Sequence, residues 1–268
     1  MKRAVRFACL ALLCAAPGAA QQIDLSRATR VDLTHPFDEH TIYWPTASST
    51  FTLKREAWGE TPGGYFYSSF SLCTPEHGGT HLDAPLHFAE GRQSTADVPL
   101  ERLIAPAVVI DVSTQAARDR NYRLSVGDVE AFERTHGRIG PGTIVLVRTG
   151  WSRFWSDRKA YLGDDRRGAE ARLSFPGIRE DAARLLVEQR QAGVLGIDTA
   201  SIDYGPSTDF LAHRVGAARN VPNLENLTNL DRLPPTGAIV IALPMKIAGG
   251  SGGPVRVAAL VFPAKKTP

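Results

Sequence analysis

Residues 77–88 read HGGTHLDAPLHF, a run that holds three of the chain's seven histidines together with an aspartate. These metal-capable side chains are His77, His81, Asp83 and His87. Two glycines and a proline interrupt the run, so it cannot continue as a regular helix. The alternative, four ordinary polar residues in a loop, explains this density of histidine less well than a metal site does.

Neither regular element would bring these donors to one ion. On an α-helix, Asp83 lies about 120° around the axis from His77, at roughly 100° per residue. On a strand the side chains share a face, but His77 and His81 stand roughly 13 Å apart. A strand broken at Gly78 and Gly79 would fold His77 back towards the others, because glycine adopts the dihedrals that such a turn requires. We therefore predict a metal site, with donors that suit zinc, manganese or iron(II).

The chain of 268 residues begins MKRAVRFACLALLCAAPGAAQQ, in which basic residues precede an apolar run and then small residues. This order is typical of a bacterial signal peptide, predicted here as residues 1–20, and the apolar run is shorter than the ~20 residues of a membrane span. We expect a periplasmic or secreted protein. Cleavage would remove Cys9 and Cys14, so Cys73 would have no partner for an internal disulfide. A buried position is expected for Cys73.

The predicted mature chain is electrically neutral. Removal of residues 1–20 takes away three of the 31 basic residues and none of the 28 acidic ones, which leaves 28 of each. A neutral chain gives no electrostatic reason to expect a nucleic acid or an anionic membrane as a partner. Neither a repeat nor a linker divides residues 21–268, which are predicted to form one domain.

The pattern of apolar residues predicts a mixed α/β (α+β) domain. Near-continuous apolar runs are typical of strands that are covered on both faces. They occur at 105–112, 142–150, 192–198, 237–247 and 253–262. A helix is predicted after Ser125, with Asp128 completing a capping box and Gly137 ending it. A second helix is predicted within 176–193, ending at Gly193.

The run at 77–88 resembles the signature of the cyclase family of metal-dependent hydrolases, which includes bacterial kynurenine formamidases and isatin hydrolases. The signature's fixed positions correspond to His77, Gly79, Thr80, His81, Asp83, Pro85, His87 and Phe88. Four further segments are similar to the family: VDLTHPF (31–37), YWP (43–45), GIDTASID (196–203) and AHRVGAARNVPNLENL (212–227). The resemblance implies a single domain of mixed, barrel-like strands with a few helices, of the swivelling β/β/α type.

The resemblance also implies roles for individual residues. His77, His81 and Asp83 would bind a first metal, and Asp83 would bridge to a second one held by His213 and Glu225. The cofactor would be one or two Zn²⁺ or Mn²⁺ ions per chain. His87 would be the catalytic acid/base without binding metal.

The implied activity is hydrolysis of an amide C–N bond, in an aryl formamide or a lactam, by metal-activated water. One alternative is a mononuclear manganese-dependent isatin or lactone hydrolase, and another is an exported metal-binding protein without activity. Glu225 favours two metals, whereas the length of the chain is closer to that of the isatin hydrolases. The partners would be a small-molecule substrate, with an aromatic compound as one candidate, and further copies of the chain in a homodimer or higher homo-oligomer.

Other polar and aromatic residues give weaker predictions. Structural roles are slightly favoured for Asp198, Thr199, Ser201 and Asp203, and a supporting role or none is expected for His35 and His40. His136 is expected to end a helix beside Gly137, where a cation suits the helix dipole, and not to be catalytic. An aromatic wall for a flat substrate, or else ordinary core packing, is the expectation for Tyr43, Trp44, Tyr65, Phe66 and Phe70. The sequence contains no phosphate-binding glycine loop, which argues against nucleotide-binding proteins.

Overall fold

The computed structural model describes residues 24–263, so the predicted signal peptide, Cys9 and Cys14 lie outside the described residues. The predicted mixed α/β fold is confirmed: seven strands close into a barrel in the order β12-β11-β5-β7-β9-β10-β4, and β4 pairs with β12 again. The strands are β1 Thr29–Asp32, β2 Thr52–Glu60, β3 Phe66–Cys73, β4 His81–Asp83, β5 Ile104–Asp111, β6 Arg123–Leu124, β7 Ile144–Arg148, β8 Gly177–Ile178, β9 Val194–Ile197, β10 Asn223–Glu225, β11 Thr236–Pro244 and β12 Gly252–Val261.

The helices are short and are placed between strands. The α-helices are α1 Leu100–Leu103, α2 Ser113–Arg118, α3 Val126–His136, α4 Arg158–Leu162, α5 Glu180–Arg184 and α6 Leu211–Ala218. A π-helical turn, Leu185–Gln189, continues α5. The 3-10 helices are Leu25–Arg27, Pro85–His87, Trp151–Phe154, Glu170–Arg172 and Leu230–Arg232. Within the described chain, no helix is long and apolar enough to span a membrane.

The central strands are buried on both faces, which explains their continuous apolar sequences. In β7, Ile144 and Leu146 pack into one hydrophobic cluster, while Val145 and Val147 pack into another. The second cluster also contains Phe132 of α3, so this helix covers one face of the barrel wall. Strands β5, β7, β9 and β10 run parallel, and the remaining barrel pairings are antiparallel.

Both predicted helices are present. Ser125 and Asp128 form the expected capping box at the start of α3. Gly137 follows the last turn with a φ of 88°, a conformation that glycine adopts without a steric penalty. The second predicted helix is α5 with its π-helical extension, which begins a few residues after the predicted start.

Strands β2 and β3 form a two-stranded ribbon, residues 52–73, which pairs with no other strand of the described chain. Tyr65, Phe66 and Phe70 lie on this ribbon and are exposed, so the expectation that they form a pocket wall or ordinary core is wrong for them. Cys73, at the end of the ribbon, is also exposed, which contradicts the buried position expected for it. Successive residues of a strand point to opposite faces, so Phe66 and Phe70 lie on one face of the ribbon and Ser69 and Ser71 on the other.

Candidate metal centre

The turn at Gly78 and Gly79 gives the signature its shape, as predicted. Their φ angles are 151° and 59°, and a Cβ at either position would collide with an aromatic ring, Tyr43 for Gly78 and Phe37 for Gly79. The chain then enters β4, whose residues His81 and Asp83 are buried. The two glycines therefore allow both the reversal of the backbone and its close approach to the aromatic rings.

Two elements distant in sequence complete the cluster. Strand β10 pairs antiparallel with β4 and places Glu225 opposite His81. Helix α6 carries His213, whose Nε2 lies 3.1 Å from Asp83 Oδ2. The structure thus brings all five predicted ligand residues together around Asp83.

The hydrogen bonds of His81 leave one ring nitrogen directed into the cluster. His81 Nδ1 donates to the carbonyl of Gly79 at 3.0 Å. Its Nε2 lies 3.1 Å from Asp83 Oδ1 and 3.6 Å from Glu225 Oε2. With the proton held on Nδ1, the lone pair of Nε2 points at two carboxylates, an arrangement suited to binding a cation between them.

Asp203 orients His213 in the same way. His213 Nδ1 donates to Asp203 Oδ2 at 2.6 Å, and the same carboxylate accepts the backbone N–H groups of Ala212 and His213. The Nε2 atom of His213 lies 3.1 Å from Glu225 Oε1 as well as from Asp83. Asp203 therefore acts on the site through His213 rather than by binding metal itself.

Hydrogen bonds through Ser251 also orient His77. The Ser251 hydroxyl donates to Glu76 Oε2 at 2.6 Å and accepts from His77 Nε2 at 2.9 Å. This places the proton of His77 on Nε2, so that its Nδ1 lone pair faces Asp83 Oδ1 at 2.7 Å. A second proton on Nδ1 makes this contact an ion pair, and when that proton is lost a metal cation between the two atoms can take its place.

The electrostatics agree with a cation site. Burial alone would lower the pKa of His81, but the charges of Asp83 and Glu225 outweigh it and raise the pKa to about 9. Burial and the charge of Asp83 raise the pKa of Glu225. Burial would raise the pKa of Asp83, yet the neighbouring histidines hold it well below its usual value. Without a metal the cluster therefore holds a proton on His81 at neutral pH. Once such protons are released, three imidazole lone pairs and two buried carboxylates fit a divalent metal of the zinc or manganese type.

Two groups of candidate donors share Asp83. One contains His77, Asp83 and His87, the other His81, Asp83 and Glu225, and within each group the donor atoms lie within 4.8 Å of one another. This grouping places His87, expected to be catalytic and not a ligand, within reach of a metal bound by His77 and Asp83. The shared carboxylate is compatible with one ion or with two.

His87 lies where the cluster meets a cavity. It ends the 3-10 helix Pro85–His87, and its ring stacks on that of His77 with centroids 3.7 Å apart. Part of the ring faces the open cavity, but the protein packed around it disfavours the charged form and lowers its pKa to about 4. A neutral imidazole in this position can accept a proton from a group in the cavity.

The cavity has a volume of about 590 Å³, a size typical of sites for small molecules. Tyr43 and Trp44 line it, as the aromatic-wall prediction required, and so do Phe88 and Phe210. Trp44 and Phe210 meet edge to face, with centroids 6.2 Å apart. Phe210 was not predicted, because no local pattern links it to the signature.

The remaining candidates lie outside the cluster. His35 stacks on Trp155, with ring centroids 4.0 Å apart, and His40 is exposed. His136 ends α3. Asp198 accepts hydrogen bonds from Thr149 and from the backbone of Trp151, a structural role, as favoured. Ser201 lines the cavity, and Thr199 donates to its carbonyl.

Several residues that support the ligands were not predicted. Asn226 donates to the Gly79 carbonyl at 2.7 Å and accepts from the Tyr161 hydroxyl at 2.9 Å. It thereby holds the same carbonyl that orients His81. The proximity of Glu76 to His77 in sequence was a usable signal, whereas Ser251 lies 174 residues from His77 and only the fold reveals it.

We expect Asp203→Asn to weaken metal binding about 10- to 100-fold, the usual cost of disturbing a partner that orients a metal-bound histidine. The amide no longer offers a charged acceptor for His213 Nδ1, so Nε2 is a poorer and less well oriented donor. Metal titration of the chelator-treated protein measures the change. Asp209→Asn, the same substitution at an exposed neighbour that bonds only Ser207, is the control and should bind metal like the wild type. Equal affinities for both variants would contradict this role of Asp203.

Comparison with known proteins agrees with the fold and the signature. The model of the family described as "Putative cyclase" matches residues 31–204. Isatin hydrolase from Roseibium aggregatum is 37% identical over 206 residues, which cover 74% of this chain and 76% of the relative. Kynurenine formamidase from Salinibacter ruber is 32% identical over 231 residues, covering 84% and 94% respectively. The structure of isatin hydrolase A from Ralstonia solanacearum superimposes with a TM-score of 0.79 at 33% identity, covering 92% of this chain and all of the other.

The chain belongs to the cyclase family of metal-dependent hydrolases, as its signature predicted. It is an enzyme of the amidohydrolase type rather than a metal-binding protein without activity.

Proposed function

We propose that the protein hydrolyses the amide C–N bond of a small aromatic lactam. The observation that carries this proposal is the convergence of three oriented imidazole lone pairs and two buried carboxylates at the base of an aromatic-lined cavity. Water adds its oxygen to the carbonyl carbon, the C–N bond breaks, and the nitrogen leaves with a proton, which gives a ring-opened amino acid.

The residues of the cluster would hold one or two Zn²⁺ or Mn²⁺ ions. We assign His77, His81 and Asp83 to a first ion, and His213 and Glu225, together with Asp83, to a second. A divalent ion at such a site would lower the pKa of bound water towards neutrality and polarise a carbonyl.

The chain's own residues would orient the substrate and move the proton. The rings of Trp44 and Phe210 offer apolar faces to a flat substrate at the cavity wall. His87, neutral and open to the cavity, would take a proton from the attacking water and pass it to the leaving nitrogen, a role worth about 10²- to 10⁴-fold in rate. Asp203, Gly79 and Ser251 would keep the three ligand imidazoles in their required tautomers.

Similarity to isatin hydrolases favours a lactam, because isatin is an aromatic lactam. An aryl formamide is the second candidate, supported by the kynurenine formamidases and by Glu225, whose carboxylate lies 3.1 Å from His213 and can complete a second metal site. The proposed compartment, the periplasm or the exterior, is compatible with a substrate taken from the surroundings.

Assays of purified protein with isatin, N-formylkynurenine and a simple lactone, with and without chelator, test this proposal. We expect chelator-sensitive hydrolysis that is fastest with isatin and restored by Zn²⁺ or Mn²⁺. Faster turnover of the formamide, with close to two metal ions per chain, would instead support the second candidate. Turnover of the lactone alone, or turnover that persists after complete removal of metal, would contradict the proposal.

A further inference from the structure

The backbone carbonyl of Gly79 is held by two donors. It accepts a hydrogen bond from His81 Nδ1 at 3.0 Å and another from the side-chain amide of Asn226 at 2.7 Å. These two bonds use both lone pairs of the carbonyl oxygen. Because the carbonyl is the acceptor that orients the His81 ring, any group that fixes this carbonyl also fixes the ring of a proposed metal ligand.

The chemistry of its two neighbours sets the orientation of the Asn226 amide. A carbonyl oxygen can only accept, so the amide turns its nitrogen towards Gly79 and its oxygen the other way. That oxygen lies 2.9 Å from the hydroxyl of Tyr161, which donates to it. The backbone of Asn226 is anchored as well, since its N–H donates to the carbonyl of Thr199 and its carbonyl accepts from the Thr80 hydroxyl. Asn226 is thus a bridge between Tyr161 and Gly79.

Tyr161 is itself held firmly in the interior. It lies on α4, is fully buried, and its backbone carbonyl accepts from the indole of Trp151 at 2.8 Å. Its hydroxyl lies 3.3 Å from the carbonyl of Asp198, farther than from the Asn226 oxygen. Burial, together with the charges of Asp198 and Glu225, raises the pKa of Tyr161 well above its usual value. The hydroxyl therefore keeps its proton and remains a donor.

We propose that Tyr161 is a positioning residue that acts on His81 through Asn226. Its hydroxyl holds the amide, the amide holds the Gly79 carbonyl, and this carbonyl holds a proton on Nδ1 of the imidazole. Nε2 is then the nitrogen that can bind the metal, and the ring has one fixed orientation in which to do so. The inference rests on the proposed metal site and gives α4, which is distant in sequence from the signature, a role in shaping it.

The variant Tyr161→Phe, which removes only the hydroxyl, tests this role. Competition of the purified protein with a chromophoric chelator measures the dissociation constant for Zn²⁺. We expect Tyr161→Phe to raise this constant about 10-fold, the lower end of the range for partners of metal-bound histidines, because Tyr161 lies further from the metal than such a partner does. Tyr122→Phe is the matched control, since its hydroxyl donates to Asp128 at the start of α3, outside the cluster, and its affinity for Zn²⁺ should equal that of the wild type.

Two further measurements separate positioning from a merely structural role. Both variants lose a hydrogen bond, so both should unfold at a lower temperature than the wild type when no metal is bound. Only Tyr161→Phe should change the visible absorption spectrum of the Co²⁺-loaded protein, whose bands depend on the geometry of the ligands around the ion. A Tyr161→Phe protein that unfolds at a lower temperature but keeps the wild-type Zn²⁺ affinity and Co²⁺ spectrum would overturn the proposal. An equal loss of affinity in Tyr122→Phe would also overturn it, because the effect would then be a general loosening of the fold.

A double-mutant cycle tests whether Tyr161 acts through Asn226. Asn226→Gly removes the bridging amide, and glycine suits the backbone there, which has a φ of 54°. If the bridge carries the effect, Tyr161→Phe combined with Asn226→Gly should bind Zn²⁺ as weakly as Asn226→Gly alone, whereas independent effects would multiply and contradict the proposal.

The same experiments distinguish failure of this inference from failure of the proposed function. If Tyr161→Phe does not fold, Asn226→Gly still tests the bridge, and an unchanged Zn²⁺ affinity in that variant would overturn it. A wild type that binds no metal would refute the metal site and with it both proposals. Wild-type binding that neither substitution weakens would refute only the positioning role of Tyr161.

Discussion

Asp83→Asn will abolish metal-dependent hydrolysis and the retention of metal. Asp83 belongs to both candidate donor groups, and its Oδ1 lies 2.7 Å from His77 and 3.1 Å from His81, while its Oδ2 lies 3.1 Å from His213. An asparagine offers one neutral oxygen in place of two charged ones, so it cannot face His77 and His81 on one side and His213 on the other, and it removes the negative charge that both groups share. Turnover should fall to the level of chelator-treated wild type, and metal analysis should find little ion per chain.

Thermal unfolding gives a readout that does not depend on activity. A ligand that binds only the folded state at 1,000 times its dissociation constant stabilises it by about 4 kcal/mol, so chelation should lower the wild-type Tm by on the order of 10 °C. The Tm of Asp83→Asn should not respond to chelator. Asp181→Asn, at an exposed carboxylate that pairs with Arg179, is the control and should behave like the wild type. Full metal content in Asp83→Asn would refute the shared-ligand assignment.

The part of the site that could be predicted from the sequence consists of residues that lie close together in the chain. Within residues 77–88, Gly78 and Gly79 indicate the turn, and the histidines and Asp83 indicate the chemistry. His213 and Glu225 lie far along the chain and were predicted only through the family resemblance. Their convergence depends on β10 pairing with β4 and on Asp203 holding the start of α6, contacts for which the sequence carries no period or spacing.

The strands of the barrel were also predictable because their signal is local in sequence. The predictions that were wrong concern the ribbon, and they failed for a physical reason. Strands such as β7 are apolar throughout because they are buried on both faces, so their sequence alone reveals them. In the ribbon, Phe66 and Phe70 lie four residues apart and so share one face, but this spacing does not show what contacts that face. The assignment of these rings to the cavity was wrong. The presence of aromatic residues in the sequence does not show whether they lie at the cavity or on a ribbon outside the barrel.

His87→Ala should lower turnover by about 10²- to 10⁴-fold while leaving metal content near that of the wild type. His87 is the exposed histidine of the signature and lines the cavity, so its loss is expected to remove a proton carrier rather than a principal ligand. His136→Ala, at the end of α3, provides the control and should retain activity. Because His87 lies in one donor group with His77 and Asp83, loss of metal from His87→Ala would assign it to the metal instead.

Substrates with different leaving groups can distinguish a proton-transfer role of His87 from a role in positioning the substrate. If His87 delivers the proton to the departing nitrogen, substrates whose leaving group has a low pKa need little help, so the variant should lose much less activity on an activated aryl ester than on an amide. A positioning role would lower turnover of both substrates by the same factor. The metal environment is the same for both substrates, so the ratio of the two losses of turnover reports on proton transfer alone. An equal loss of turnover on the ester and the amide would contradict the acid/base assignment of His87.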